Sequence, residues 1–350
     1  MLEIDGSQGE GGGQIIRSSL ALSLLTGTPV LLNNIRAKRK NSGLARQHLV
    51  AVQAAVELGS AEYRGAALGS STLWFAPKTV KPGEYTFRIG TAGSASLVLQ
   101  TILAPLLLAE GPSSLTIEGG THNPLAPPAD FLIRTYAPFI RQLGPSLQIQ
   151  LDRYGFFPGG GGRLHVQIEP AAKFAGLELL SRGKRLKTRV RALVSNLPKK
   201  IAERECHEVR RLSGWDKSWF HAEEVAANGC GNAVLIELEC EHVTEIFVGF
   251  GERGVSAERV AAGVWQETEE YLQHEVPVGQ HLADQLILPL AIAASQGNAS
   301  RFRTLSLTGH SVTHLDIVQR FLPVRFEVND VEKGVVEVSV LPGSTSRSDE

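Results

Sequence analysis

Apolar and polar positions along the chain follow an order that predicts a helix, a strand, a loop and a second helix. Residues 14–25 place apolar side chains at helical spacing, and a strand-like run at residues 29–32 follows Gly27. A polar loop then leads into a second helical pattern over residues 42–58, which stops at Gly59. Glycine after the last periodic residue is typical of helix ends, so both helices have a predicted C-terminus.

The same order of elements returns twice further along the chain. The second copy is predicted at residues 94–108, 114–118 and 128–143, and the third at residues 281–294, 304–308 and 313–322. This recurrence indicates a repeated supersecondary unit, although any α/β protein alternates helices and strands. If the repeat is real, three loops occupy equivalent positions on one scaffold, where sites are usually assembled. These loops are residues 34–42, 119–127 and 309–313.

Residues 184–274 break this pattern. They contain a basic strand-like run, a helical pattern, two alternating strand-like runs and another helical pattern, which together predict a small inserted α/β domain. The repeats would then form one discontinuous domain from residues 1–183 and 275–341. The tail at residues 342–350 is rich in Ser, Thr and charged residues, and we expect it to be disordered.

Composition describes an ordinary globular protein of 350 residues with 43% apolar and 20% charged residues, long enough for about two domains. A net charge of -1 argues against a uniformly basic coat for nucleic acid but allows a local basic patch. The apolar run at residues 97–109 is too short to cross a bilayer, and the first residues lack the pattern of a signal peptide. We therefore expect a cytoplasmic protein without membrane contact.

Cys206, Cys230 and Cys240 form no CxxC pair, which argues against a disulfide framework or a zinc cage.

His310 lies between the predicted third strand and its following helix. Free backbone N–H groups at a helix start favour anions, and a neutral imidazole is nucleophilic near pH 7. His310 is therefore a candidate to attack phosphorus. A histidine before a helix is, however, more often a cap or a packed residue.

A glycine-rich stretch at residues 5–14 follows a short strand and precedes a helix, which is the context of a phosphate site. It matches neither a dinucleotide fingerprint nor a P-loop, and a flexible turn is the simpler interpretation. Glu10 inside the glycines would repel phosphate unless a cation lies between them. Glu10 therefore suggests a divalent metal together with a phosphorylated substrate.

Basic residues concentrate in the first part of the chain, because residues 11–56 contain no acidic residue. Arginine binds phosphate through two parallel hydrogen bonds, so the first loop predicts a polyphosphate or nucleic-acid backbone site. A solvated basic loop is the alternative. The six basic residues are Arg17, Arg36, Lys38, Arg39, Lys40 and Arg46.

Pro127 and Phe131, near the second loop, could stack on a base. Asp284 and Gln285 follow His281, where they could orient a histidine or hold a metal.

Taken together, the motifs of this chain resemble those of the RNA 3'-terminal phosphate cyclase family over nearly its whole length. The resemblance is weakest in the insert. It is carried by residues 5–17, 35–39, 46–49, 90–94, 99–101, 126–131, 155–162 and 282–285, and by His310 leading to residues 320–326.

The resemblance implies three repeated βαβαββ-like units with a small inserted α/β domain, in the α/β (α+β) class. It also implies an ATP-dependent enzyme that converts an RNA 3'-phosphate to a 2',3'-cyclic phosphodiester and releases AMP and pyrophosphate. His310 would carry AMP covalently, and Glu10 would hold a divalent metal, Mg or Mn. Phosphates or RNA would be bound by Arg17, Arg36, Arg39 and Gln47, and ATP by Gln100, Pro127, Phe131, His281, Leu282, Ala283, Asp284 and Gln285.

Two residues depart from the family pattern. His314 stands where relatives carry asparagine, so it is a second candidate nucleophile, and His281 stands where an aromatic ring would stack on adenine. The strongest rival function, from another class, is a non-catalytic cyclase-like scaffold for ribosomal RNA processing, and a second rival is an enolpyruvyl transferase. The scaffold relatives lack the nucleophilic histidine, and the transferases need neither His310 nor ATP. The physiological RNA and the oligomeric state do not follow from the sequence.

Overall fold

The structure is a computed structural model that describes residues 1–90 and 92–343. Its first unit is a four-stranded sheet with two helices. The sheet has the order β1-β2-β4-β3, in which β1 is parallel to β2 and the other pairs are antiparallel. The elements are β1 (Leu2–Asp5), α1 (Gly13–Thr26), β2 (Val30–Asn33), α2 (Arg46–Gly59), β3 (Glu62–Arg64) and β4 (Leu73–Ala76).

The second unit repeats this topology, with the strand order β5-β6-β8-β7 and one parallel pair, β5 with β6. Its second helix contains a π-helical turn, Leu132–Tyr136, where one continuous helix was predicted. The elements are β5 (Glu84–Arg88), α3 (Ala95–Leu107), β6 (Ser113–Gly119), α4 (Ala129–Phe131), α5 (Ala137–Gln142) after the π-helical turn, β7 (Ser146–Arg153) and β8 (Gly162–Glu169).

The short strand β9 (Glu178–Leu179) begins the third unit, and a separate sheet with two helices follows before that unit continues. This sheet has the order β11-β10-β12-β13. Its strand β11 was missed because three of its five residues are Ala or Glu, which are depleted in strands. The elements are β10 (Arg185–Ser195), α6 (Lys200–Ser213), β11 (Phe220–Glu224), β12 (Gly231–Cys240), β13 (Thr244–Phe250) and α7 (Ala257–Gln273). We refer to this part as the insert.

The third unit then completes the order β9-β14-β16-β15, again with one parallel pair, β9 with β14. The three repeated units and the inserted α/β sheet are therefore as expected. The remaining elements are α8 (Gln280–Ser295), β14 (Ser300–Leu305), α9 (Gly309–Phe321), β15 (Val324–Glu332) and β16 (Val335–Pro342). The domain boundaries drawn from the sequence stay a prediction.

Three local expectations were wrong. The third loop, expected at residues 309–313 before a helix at residues 313–322, is the first turn of α9, which spans Gly309–Phe321. The other two concern backbone that leaves regular structure. The strand predicted at residues 304–308 is β14, which ends at Leu305, because Thr308 turns to cap α9. Helix α2 begins at Arg46 rather than residue 42, since Gly43 adopts a left-handed conformation with φ of 76°. Pro342 pairs with Val324 in the last strand pair, and residues 344–350 of the predicted tail lie outside the described residues.

Two clusters of buried apolar residues hold the fold together. The larger cluster packs the helices of the three units against their sheets. The smaller one lies mainly between the sheet of the insert and helices α6 and α7, and it also includes Leu305 and Val335 of the third unit. Within the described part of the chain, every helix is too short or too polar to span a bilayer.

Candidate functional site: a histidine–aspartate pair beside a glycine-rich loop

His310 lies in the first turn of α9 rather than in a loop before it. The side chain of Thr308 caps this helix by accepting a hydrogen bond of 3.1 Å from the backbone N–H of Ser311. The imidazole keeps 36% of its surface exposed. A ligand can therefore reach a histidine that stands at the positive end of a helix dipole.

Asp284 on α8 orients His310. Its Oδ1 lies 2.8 Å from His310 Nδ1, and its side chain is 8% exposed. Burial disfavours the carboxylate, but hydrogen bonds and charge from His310 and His314 outweigh burial and hold the pKa of Asp284 well below its usual range. Because an ionised carboxylate can only accept, Nδ1 of His310 is the donor, and the lone pair of a neutral ring is on Nε2. This arrangement leaves the lone pair of Nε2 available to a ligand.

His314 lies one helical turn beyond His310 and contacts the same aspartate. Its Nδ1 is 3.2 Å from the backbone oxygen of Asp284 and 3.6 Å from Oδ1. Only 7% of its side chain is exposed, and its Nε2 is buried without a hydrogen-bond partner among the described residues. Exposure therefore distinguishes the two histidines and favours His310 as the one that meets a substrate.

A small cavity of about 40 Å³ lies behind this pair, between α1, α3, α8 and α9. Gln100 on α3 and Gln285 on α8 line it and hydrogen-bond to each other, and Gln285 also donates to Asp284 Oδ2 over 3.1 Å. A volume of this size suits water rather than a nucleotide. The hydrogen bonds of Gln285 to Gln100 and to Asp284 therefore join α3 to α8 and hold the aspartate of the histidine–aspartate pair.

Arg17 on α1 closes the same cavity as a buried cation. Its Nε has no hydrogen-bond partner among the described residues, while Nη2 donates to Gln14 over 3.0 Å. Burial lowers the pKa of Arg17 to about 10, and the charges of Asp284 and Glu10 oppose the shift. Arg17 stays protonated at neutral pH, so a buried donor is left to bind an anion.

The glycine-rich loop of the first unit packs against α9 of the third. A Cβ on Gly9 would lie 2.2 Å from Thr313 Oγ1, and the backbone N–H of Glu10 donates to that oxygen over 3.2 Å. Arg320 also donates to Gln8 Oε1 over 2.8 Å. Glycine at position 9 thus allows close approach and places Glu10 near the start of the helix that carries His310.

Glu10 forms an ion pair of 2.6 Å with Arg39, which also donates to the Glu10 backbone oxygen over 3.2 Å. Among the described residues, no three His, Cys, Asp or Glu side chains cluster as a metal cage would require. A single carboxylate with exposed surface still fits Mg²⁺ or Mn²⁺, because such ions often take one protein carboxylate and complete their shell with phosphate and water.

The other predicted residues divide between the surface, the core and a larger groove. Arg36 donates to the Gly43 backbone oxygen over 2.9 Å, Gln47 faces the groove described below, and His281 is exposed. Pro127 is half-buried. Phe131, Leu282 and Ala283 are buried in the core, at 2%, 0% and 0% exposure, so the structure offers no open ring face at Phe131.

Sequence reasoning assigned no role to His48, although it stands within one of the matching motifs. His48 accepts the backbone N–H of Ala45 at Nδ1 over 3.0 Å, and a Cβ on Gly13 would lie 2.5 Å from its Nε2. Burial and the nearby Arg17 and Arg36 lower the pKa of His48 to about 3, so the ring is neutral and Nε2 carries the proton. The presence of His48 in that motif was the available signal.

The fold and site define an α/β protein of three repeated units that presents a carboxylate-oriented histidine beside buried and exposed arginines. The profile of the family described as "RNA 3'-terminal phosphate cyclase" matches residues 8–328. The chain is 49% identical to the RNA 3'-terminal phosphate cyclase of Koribacter versatilis, covering 95% of this chain and 93% of that protein. It is 44% identical to the proteins of that name from Salmonella enteritidis and Salmonella typhimurium, each over 97% of this chain and 99% of theirs. The chain belongs to the RNA 3'-terminal phosphate cyclase family.

Proposed function

We propose that the protein is an ATP-dependent RNA 3'-terminal phosphate cyclase that acts through AMP carried covalently on His310. One observation carries the proposal, namely the 2.8 Å contact between Asp284 Oδ1 and His310 Nδ1, which leaves Nε2 of a half-exposed ring free to attack. The proposal agrees with the names of the three relatives. A binding scaffold would need no oriented nucleophile.

In the first step, Nε2 of His310 attacks the α-phosphorus of ATP, and the bond from that phosphorus to the bridging oxygen breaks, which releases pyrophosphate. The ring then carries a positive charge, which the Asp284 carboxylate stabilises through the Nδ1 hydrogen bond. Arg17, with its unpaired buried Nε, stabilises negative charge on the phosphates. A metal held by Glu10 would neutralise further phosphate charge when bound.

In the second step, an oxygen of the RNA 3'-phosphate attacks the same phosphorus, the P–N bond breaks, and its electron pair returns to Nε2. In the third step, the neighbouring 2'-hydroxyl attacks the phosphorus of the original RNA 3'-phosphate, loses its proton to solvent and expels AMP. Because the reacting groups are vicinal, proximity supplies much of the acceleration. The protein must then hold the ribose and stabilise the leaving AMP.

The direct test is transfer of label from α-labelled ATP to the purified protein in the presence of Mg²⁺ or Mn²⁺. We expect acid-labile label on wild type and on His314→Ala but none on His310→Ala. Label that persists in His310→Ala and disappears in His314→Ala would move the nucleophile by one helical turn. A folded wild-type protein that takes no label would refute the covalent mechanism.

A further inference from the structure

A large groove lies between the insert and the first two units, separate from the small cavity behind His310. Its volume is about 1330 Å³, and helix α2 contributes Arg46 and Gln47 to one wall. The second unit contributes the loop at residues 122–126, and the insert contributes residues 250–253. Sites for single small molecules are roughly 300–1,000 Å³, so this groove has room for a longer ligand.

Two buried polar side chains in the lining of the groove each have an oxygen without a hydrogen-bond partner among the described residues. Glu205 of α6 is 0% exposed, its Oε1 has no hydrogen-bond partner among the described residues, and its Oε2 accepts from Asn232 over 2.8 Å. Asn123, on the opposite wall, is 7% exposed, and its Oδ1 likewise has no partner. Buried polar atoms are normally paired, so each oxygen is suited to a hydrogen bond with a ligand. Asn123 Oδ1 can only accept, whereas Glu205 Oε1 can accept or, when protonated, donate, because burial raises the pKa of Glu205 to about 7.

The edge of the groove has a different character from its interior. Arg46 and Arg253 are exposed there, and neither forms an ion pair with another residue in the described part of the chain. Phe157 also stands at the groove with 64% of its surface exposed. Free arginines suit phosphate, and an exposed aromatic ring suits the face of a base.

We propose that this groove binds the nucleotides of the RNA that precede the 3'-phosphate, with the bases directed inward and the backbone along the arginines at the edge. The inference rests on the proposed function, because it assigns a place to the substrate of that reaction. Nucleobases have apolar faces for the apolar walls, and their N–H donors and their ring-nitrogen or carbonyl acceptors can pair with the two unpartnered oxygens. The lining of the interior has no Lys or Arg to pair with a phosphate, and the two arginines of the lining stand at the edge, which fixes this orientation.

The groove connects to the histidine through neighbouring residues. Gln47 lines the groove, and the next residue, His48, is in contact distance of Gly13 at the start of α1, which also carries Arg17. Ser94 lines the groove at the start of α3, and Gln100 lies six residues further along that helix, about 9 Å away at 1.5 Å per residue. RNA in the groove would therefore place its end near the histidine–aspartate pair.

Cys230 provides a native probe, because it lines the groove and is the exposed member of the three cysteines, whereas Cys206 and Cys240 are buried. Wild-type protein labelled at Cys230 with the bulky fluorescein maleimide is compared with wild-type protein whose Cys230 carries only a small methylthio group. Cys230→Ser, treated with the same maleimide, is compared with its own untreated sample. Three readouts are taken: label transfer from ATP, anisotropy of a 3'-phosphorylated oligoribonucleotide, and cyclisation.

We expect the bulky adduct to weaken RNA binding and slow cyclisation at least tenfold while label transfer from ATP is unchanged, and RNA to protect Cys230 from the maleimide. Complete labelling with normal RNA binding and cyclisation would overturn the groove proposal and leave the proposed function intact. Loss of label transfer from ATP would assign the groove to ATP and also overturn it. Absence of label transfer in unmodified wild type would instead refute the proposed function, while the binding readout would still test the groove.

Arg253→Glu provides a second test that needs no chemical modification. It should weaken RNA binding and lower the slope of log Kd against log salt by about 0.7, the value for one phosphate contact on a single strand. Arg210→Glu makes the same charge change on an exposed residue of α6 outside the groove and should leave the slope unaltered. Equal effects of the two substitutions would show that only net charge matters and would overturn the assignment.

Discussion

The substitution Asp284→Asn removes the negative charge that orients His310 while keeping the size of the side chain. Asp284 is 8% exposed, and its Oδ1 is 2.8 Å from His310 Nδ1. An amide can donate to Nδ1 as well as accept from it, so part of the protein will carry the ring proton on Nε2, which then cannot attack. A hydrogen bond to a charged group contributes about 1.5–3 kcal/mol, which corresponds to a rate loss of about 10- to 150-fold.

The assay is the single-turnover rate of label transfer from α-labelled ATP at saturating ATP, so that weaker ATP binding does not enter. Asp316→Asn is the matched control, because Asp316 is an exposed aspartate on α9 without an ion pair in the described structure. We expect the control to react at the wild-type rate. A rate for Asp284→Asn within twofold of wild type, in a protein that is fully folded under the assay conditions, would refute the assigned orientation of His310.

Acid should remove the stabilising contribution of Asp284. Because the folded-state pKa of Asp284 is depressed, this contribution is fully present above the unfolded value of 3.8 and is lost as pH falls through the lower folded value. Urea unfolding between pH 7 and strongly acidic pH should show a smaller acid loss for Asp284→Asn than for wild type. An identical pH dependence in both proteins would contradict the depressed pKa.

Three further predictions address the glycine-rich loop, the groove and the buried arginine. Gly9→Ala should lower the unfolding free energy measured in urea by about 1–3 kcal/mol, because its Cβ would meet Thr313 Oγ1 at 2.2 Å. Gly90→Ala is the control, because Gly90 has a similar positive φ but open space around it, and it should lose less. Equal losses would exclude the contact with Thr313 as the cause. Burial raises the pKa of Glu205 to about 7, so the folded state keeps a proton that the unfolded state releases above about pH 4.5, and stability falls as pH rises towards 7. Glu205→Gln should therefore recover up to about 3 kcal/mol of unfolding free energy at pH 8 and little at pH 4. A gain independent of pH would contradict this reasoning. Arg17→Lys should slow label transfer roughly 10- to 100-fold because one ammonium cannot replace a guanidinium with several donors, and an unchanged rate would remove Arg17 from phosphate binding.

Local patterns identified most of the regular structure. The helix predicted at residues 281–294 is Gln280–Ser295, and the one predicted at residues 14–25 is Gly13–Thr26. Both have long apolar faces and defined ends, which short-range backbone geometry determines. The strand at residues 304–308 was misplaced because its last residue serves as a helix cap, and hydropathy does not report that role.

The sequence by itself determined the repeated order of elements, the basic first loop and the candidacy of His310, because each depends on residues that are neighbours in the chain. Only the tertiary structure decided which residues meet. Asp284 reaches His310 across 26 positions because two helices of the third unit pack together, and Glu10 reaches Thr313 across 303 because the first unit packs against the third. The choice between His310 and His314 likewise depends on exposure, and the groove depends on where the insert packs. Helical and strand periodicity carries no record of such distant contacts, since it reports only which face of an element is buried.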